Sequence, residues 1–114
     1  MQCIAFSAPL LPGKTETDRR AMASVQGERK LEYESSRERH GITREAVWLQ
    51  QTPAGDVVVV YLEADDLQAA FAGLGSSQDP FDRWFRDVVK ECHGMDLTQG
   101  FPPPEQMLDY QRGS

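Results

Sequence analysis

Histidine and cysteine, the side chains used most often in metal centres and nucleophilic sites, are scarce in this chain of 114 residues. The two histidines, His40 and His93, stand in no spacing typical of metal ligands, so we expect no metal. Cys92 directly precedes His93, but adjacent helical residues point about 100° apart, which disfavours a nucleophile–base pair. Because Cys3 and Cys92 alone make no disulfide framework, we expect free thiols in a cytoplasmic protein.

Long apolar runs and a surplus of basic residues are also missing. No run approaches the roughly 18 apolar residues that would cross a membrane, and the start lacks the basic and apolar regions of a signal peptide. Acidic residues outnumber basic ones by 18 to 12, and the net charge of −6 argues against nucleic acid or an anionic membrane as a partner. No glycine-rich phosphate-binding motif occurs, and we expect no cofactor.

The clearest positive signal is a β-hairpin over residues 44–63. Two runs rich in Val, Leu, Trp and Tyr flank residues 52–56, a cluster of turn formers. A loop over residues 53–56 would place Trp48 opposite Tyr61. Alternation divides the side chains between two faces, and because both faces are largely apolar, both need to be covered. One face carries Ala46, Trp48, Gln50, Val57, Val59, Tyr61 and Glu63; the other carries Val47, Leu49, Gln51, Val58, Val60 and Leu62.

A strand and a long helix are predicted before the hairpin. Residues 2–7 alternate as a short first strand does. A highly charged helix then runs from a capping Thr15 or Thr17 to about His40. Gly27 lies in the middle of this helix and could divide it in two.

Two shorter helices are predicted after the hairpin. The first begins at Asp65. The second begins at Asp79 and ends at Gly94, which can adopt the left-handed cap conformation. Its apolar stripe, which includes Trp84, is expected to pack on the sheet. Residues 105–111 then suggest a final edge strand.

The order of these elements is strand, helix, strand, strand, helix in two pieces, strand. It predicts an α+β fold with the ferredoxin-like split β-α-β arrangement, in which a four-stranded antiparallel sheet carries helices on one face. Residues 1–114 are expected to form a single domain with an extended proline-rich tail from about residue 98. The other sheet face would remain bare, and an apolar surface of this kind marks an interaction site. We therefore expect a homodimer. Its interface is predicted to consist of Val47, Leu49, Val58, Val60 and Leu62.

Five segments distributed along the chain carry a family resemblance. They are PGKT (12–15), RHGITREAVWLQ (39–50), VVVYLE (58–63), DPFDRWFR (79–86) and HGMDL (93–97). Together they resemble an uncharacterised bacterial family of unknown function, which is similar to the dimeric α+β barrel superfamily. The resemblance implies a dimeric α+β barrel fold. That superfamily includes cofactor-independent monooxygenases, haem-degrading enzymes and dimeric binding modules, so the resemblance implies no single activity.

The second half of the long helix carries polar residues on the stripe that should face inward. At 100° per residue, Arg29, Tyr33 and His40 fall on this stripe. Buried polar groups need hydrogen-bond partners, and Gln50 and Tyr61 on the mixed sheet face can supply them. The pattern predicts a small-molecule pocket between the sheet and this helix. The candidate ligand-binding residues are Arg29, Tyr33, His40, Trp48, Gln50, Tyr61 and Trp84.

Three functions remain open for this part of the protein. The first is a homodimeric protein that binds a small organic ligand between the sheet and the helices. The second is a cofactor-independent monooxygenase- or isomerase-like enzyme, in which His40 or Tyr33 is the acid–base group and Arg29 holds an anionic substrate. The third is a purely structural dimer without a ligand, in which the polar side-chain tips reach solvent from an ordinary core.

Overall fold

The structure, a computed structural model, describes residues 1–100 and 102–113. Phe101 and Ser114, both in the predicted tail, lie outside the described residues. Within the described part, no helix is long and apolar enough to cross a membrane. The elements are β1 (Gln2–Pro9), α1 (Thr15–Val25), α2 (Lys30–Arg39), β2 (Ile42–Thr52), β3 (Gly55–Ala64), α3 (Leu67–Ser76), α4 (Pro80–His93) and a short 3-10 helix (Leu97–Gln99).

The predicted hairpin is formed by β2 and β3. Thr52 pairs with Gly55, so the loop is shorter than predicted. Gly55 has a φ of 132°, a conformation that side chains rarely adopt, which explains the glycine at this position. Trp48 lies opposite Val59 rather than opposite the predicted Tyr61. A shift by an even number of residues keeps every side chain on its face, so the predicted division into two faces is retained.

β3 lies between β1 and β2 and runs antiparallel to both. The sheet therefore has three strands, and the four-stranded, ferredoxin-like sheet predicted for a dimeric α+β barrel is wrong. Residues 105–111, the predicted final strand, have no regular secondary structure and are exposed. The prolines at 102–104 have no N–H to donate, and the adjacent Met107 and Leu108 break the alternation of a half-buried strand. Among the described residues, the far edge of β1 therefore has no neighbouring strand.

The helix boundaries follow local signals with small shifts. The predicted long helix is divided near Gly27 into α1 and α2. α1 begins after Lys14, which makes no side-chain capping bond, rather than after a capping threonine. Asp66 caps α3, one residue later than predicted. Asp79 caps α4, and Gly94 ends it with a φ of 70°, both as predicted.

The helices lie on one face of the sheet, which we call the inner face. There Ile42, Leu62 and Ala64 form a core with Ala70 and Leu74 of α3. No helix of the described residues packs on the opposite, outer face. The strand pairing assigns Ile4, Phe6, Ala8, Glu45, Val47, Leu49, Val58, Val60 and Leu62 to the inner face, and Ala5, Ala46, Trp48, Gln50, Val57, Val59 and Tyr61 to the outer face.

The helices cover the face opposite to the one expected. The five residues predicted for a dimer interface lie on the inner face, and two of them, Val58 and Leu62, are only 5% and 3% exposed. The physical reason lies in β1. Its inward residues, such as Ile4 and Phe6, extend the more apolar face across a third strand, so covering that face buries the most apolar surface.

Candidate functional site

A cavity of about 710 Å³ separates the inner face of the sheet from α1 and α4. Its floor, formed by apolar residues of β2 and β3, includes Val47, Val58 and Val60. Its roof includes Met22 of α1 and Val88 of α4. Largely apolar cavities of this size are typical of small-molecule sites.

The cavity opens beside Val47 of β2. Val47 is 40% exposed although its side chain belongs to the inner face. Val58, on the central strand of the same floor, is buried. A ligand can therefore enter next to Val47 without disrupting the core around α3.

A buried ion pair lies where α2 meets the cavity. The Nε of Arg37 donates to Oε1 of Glu45 at 2.8 Å, and the Tyr33 hydroxyl donates to the same oxygen at 2.6 Å. The Arg37 guanidinium also lies over the rings of Tyr33 and Phe85, 4.8 and 4.4 Å from their centroids. Burial and the Glu45 carboxylate raise the pKa of Tyr33, so its hydroxyl stays protonated. These polar groups line the cavity but satisfy one another.

A second buried polar cluster lies outside the cavity wall, where α2 meets the start of α4. Its centre is the fully buried Asp82. Burial alone would raise the pKa of this carboxyl, but its hydrogen bonds outweigh burial and hold the pKa well below the usual 3.8. Arg37 Nη1 donates to Ser36 Oγ at 3.1 Å and so joins the two clusters. The groups that bond to Asp82 are the hydroxyls of Ser36 and Ser77 (2.6 Å for Ser77), His40 Nε2 (2.9 Å) and Arg39 Nη2 (3.2 Å).

The two catalytic candidates occupy these polar clusters. His40 does not line the cavity, and its ring packs so closely on α3 that a Cβ at Gly73 would lie 2.6 Å from His40 Nδ1. Only glycine permits this approach, which fixes the ring against Asp82. Tyr33 does line the cavity, but its hydroxyl is engaged by Glu45.

Arg29 and Trp84 contact each other rather than the cavity. The Arg29 guanidinium carbon lies 4.1 Å from the centroid of the Trp84 ring, and Nη1 lies 3.6 Å from a carboxylate oxygen of Glu32. The predicted holder of an anionic substrate is therefore engaged elsewhere. Across residues 1–100 and 102–113, no three His, Cys, Asp or Glu side chains are placed to share a metal ion.

The other predicted ligand-binding residues belong to the outer face. Trp48 is 54% exposed and borders the cavity at the β2 edge. The Tyr61 hydroxyl donates to Glu63 at 2.6 Å, and this bond raises the pKa of Tyr61 to about 12. Of the seven predicted ligand-binding residues, the structure brings Tyr33 and Trp48 to the cavity and leaves Arg29, His40, Gln50, Tyr61 and Trp84 away from it.

Two further titratable residues line the cavity, Asp18 of α1 and His93 of α4. Asp18 is only 8% exposed, and its carboxyl has no hydrogen-bond or ion-pair partner among the described residues. Burial raises the pKa of Asp18, and the nearby His93 opposes this effect. The Nδ1 of His93 donates to the carbonyl oxygen of Pro9 at 2.9 Å.

Sequence reasoning missed Asp18 of the cavity wall and Asp82 of the second polar cluster for different reasons. Asp18 leads a helical i, i+3, i+4, i+7 series with Ala21, Met22 and Val25, and an acidic residue in such a series is a signal that could have been used. Asp82 offers no such signal, because its partners on α2 are more than forty residues away in sequence.

The fold and the cavity define a small α+β protein, in which helices on one face of a three-stranded antiparallel sheet enclose an apolar space. The chain belongs to the family described as "Family of unknown function (DUF6176)", whose family model matches residues 1–112. The prediction of an uncharacterised family is thus confirmed. No curated protein and no solved structure matches the chain.

Proposed function

We propose that this protein binds a small, largely apolar organic molecule in the cavity between the inner face and the helices. The observation that carries the proposal is the cavity of about 710 Å³. Small-molecule sites typically have volumes of about 300–1,000 Å³. Ordinary cores leave few voids larger than a water molecule, so packing alone does not account for such a space.

The polar wall favours binding over acid–base catalysis by the predicted residues. The Tyr33 hydroxyl donates a hydrogen bond to Glu45, and His40 lies outside the wall, bonded to Asp82. Neither side chain is therefore free to exchange a proton with a bound molecule. The monooxygenase- or isomerase-like alternative also needs a cation for its anionic substrate, and Arg29 stacks on Trp84 instead.

We expect that filling the cavity floor abolishes binding of a neutral probe, 4-phenylbutanol. In Val58→Phe, the added ring enters the cavity, and the dissociation constant measured by calorimetry should rise at least about tenfold, or 1.4 kcal/mol. The matched control is Val59→Phe, because Val59 is the next residue but lies on the outer face. This variant should bind as the wild type does.

Thermal unfolding of both variants separates lost binding from lost folding. If Val58→Phe remains folded and binds 4-phenylbutanol as tightly as Val59→Phe does, the cavity is not the binding site. Mass spectrometry of the native purified protein adds a second readout, since a bound molecule would add its mass to that of the chain.

We further propose that two copies of the chain associate through their outer faces. Trp48 is 54% exposed there, and Val59 and Tyr61 beside it have no helix over them. Exposed aromatic residues in an apolar surface are typical of interfaces. In this arrangement the homodimer forms through the outer faces, and the inner-face residues remain available to line the cavity.

Trp48→Asp should convert this dimer into a monomer, because the new carboxylate would be buried without a partner in the interface. Light scattering should give twice the chain mass of 12.8 kDa for the wild type and a single chain mass for the variant. Leu108→Asp is the control, since Leu108 is exposed in the tail. A wild-type protein that is monomeric at high concentration would contradict the proposal.

The cysteines support a cytoplasmic location. Cys3 and Cys92 are free thiols, and Cys92 is fully buried. Burial raises the pKa of the Cys92 thiol, which keeps it in the unreactive protonated form. Free thiols are usual where the surroundings are reducing.

A further inference from the structure

One polar side chain of the cavity wall differs from the others in having no protein partner. Asp18 is only 8% exposed and lines the cavity, and its carboxyl accepts no hydrogen bond from the described residues. The other charged, hydroxyl and amide side chains of the wall are engaged: Thr15 with Asp56, Arg19 with Glu16, Gln26 with Met22, Tyr33 and Arg37 with Glu45, and His93 with Pro9.

We propose that the ligand of this cavity is an organic cation, an ammonium group on an apolar body, and that Asp18 accepts its N–H hydrogen bonds. The inference rests on the proposed function, because it assigns the polar anchor of the same cavity. A carboxylate is only an acceptor, so the group that satisfies it must be a donor. A charged donor makes the stronger bond and also neutralises the buried charge.

The charges around the cavity select against an anion. Both arginines of the wall are already paired, Arg37 with Glu45 and Arg19 with Glu16. The chain as a whole carries −6, which attracts cations and repels anions. A carboxylate ligand would meet the Asp18 carboxylate, and like charges at close range disfavour binding.

Burial supports the same chemistry. It raises the pKa of Asp18 because no described group stabilises the carboxylate form fully. A bound ammonium would supply that missing stabilisation. Titratable groups with shifted pKa values cluster at functional sites.

Three probes test the proposal in the wild-type protein. They share a phenyl ring on a four-carbon chain and differ in the polar end group: 4-phenylbutylamine, 4-phenylbutanol and 4-phenylbutyrate. At neutral pH, calorimetry should show the amine binding at least about tenfold more tightly than the alcohol, as expected for a buried charge-assisted hydrogen bond. The carboxylate should bind most weakly. Equal affinities for amine and alcohol would overturn the proposal without affecting the proposed function.

Asp18→Asn removes the charge and keeps the shape. We expect the amine to lose at least about tenfold in affinity, while the alcohol changes by less than about twofold. Asp87→Asn is the control, because Asp87 is exposed on α4 and the net charge changes equally. An equal loss of affinity for the amine in both variants would show that the net charge of the protein, not Asp18, causes the effect, and would overturn the proposal. Failure of all three probes to bind the wild type would overturn the proposed function as well.

Discussion

Asp82→Asn is expected to lower the free energy of unfolding by about 2–3 kcal/mol, because it removes the charge that strengthens the hydrogen bonds of a fully buried carboxylate. Asp82 is fully buried and accepts hydrogen bonds from the hydroxyls of Ser36 and Ser77, from Arg39 at the end of α2 and from His40, which follows α2. The amide oxygen can accept in place of Oδ2, but the NH2 group then faces the Ser36 hydroxyl, and no charge remains to strengthen the other bonds. Urea unfolding measures the change.

The matched control for this change is Asp87→Asn on the same helix. Asp87 is exposed, and its replacement should alter stability by less than about 0.5 kcal/mol. A loss below about 1 kcal/mol in Asp82→Asn would show that the hydrogen bonds of Asp82 contribute little to the folded state.

Asp82 also predicts the acid sensitivity of the fold. Its hydrogen bonds hold the pKa of the folded state below 3.8, the value expected in the unfolded chain. The unfolded state therefore binds the proton more readily, so this contribution to stability is complete above the unfolded pKa and is lost as pH falls through the folded pKa. Stability measured between pH 5 and pH 2 should fall less steeply in Asp82→Asn than in the wild type.

Arg37→Met is expected to have a similarly large effect, about 3–5 kcal/mol of lost stability, because it leaves a buried carboxylate without its cation. The side chains of Arg37 and Glu45 are only 7% and 12% exposed. The Tyr33 hydroxyl would remain as the one donor to Glu45 within the described residues. Urea unfolding again gives the magnitude.

A second substitution distinguishes a stranded charge from lost packing. Arg37→Met combined with Glu45→Gln removes both charges, so the double variant should be more stable than Arg37→Met alone by at least about 1 kcal/mol. Arg20→Met is the control, because Arg20 is exposed on α1. A double variant no more stable than Arg37→Met would assign the loss to the contacts of Arg37 with Tyr33 and Phe85.

Local chemistry made much of the fold predictable. The hairpin, the break near Gly27 and both ends of α4 follow from alternation, turn residues and capping residues that act on their own neighbours. The prediction of a fourth strand was wrong because strand pairing is not a local property. Residues 105–111 meet no strand edge, and the segment lacks the alternation that would have bound it to one.

The site was predictable in kind but not in its residues. A cavity between the sheet and the helices was expected on the face that carries Gln50 and Tyr61, because that face offers hydrogen-bond acceptors for Arg29 and His40. The cavity lies on the inner face instead. The structure satisfies both residues on helices instead, through Trp84, Glu32 and Asp82. Contacts between helices far apart in sequence carry no periodic signal, so neither pairing could be read from the chain.

The central place of β3 in the sheet has a consequence for isotope exchange. β3 has a strand on each side, so its amide protons are bonded within the sheet, whereas in β1 and β2 every second amide faces an unpaired edge. Deuterium should therefore replace the amide protons of β3 last. Because β3 carries Val58 and Val60, the backbone under the cavity floor should exchange more slowly than the two edge strands of the sheet.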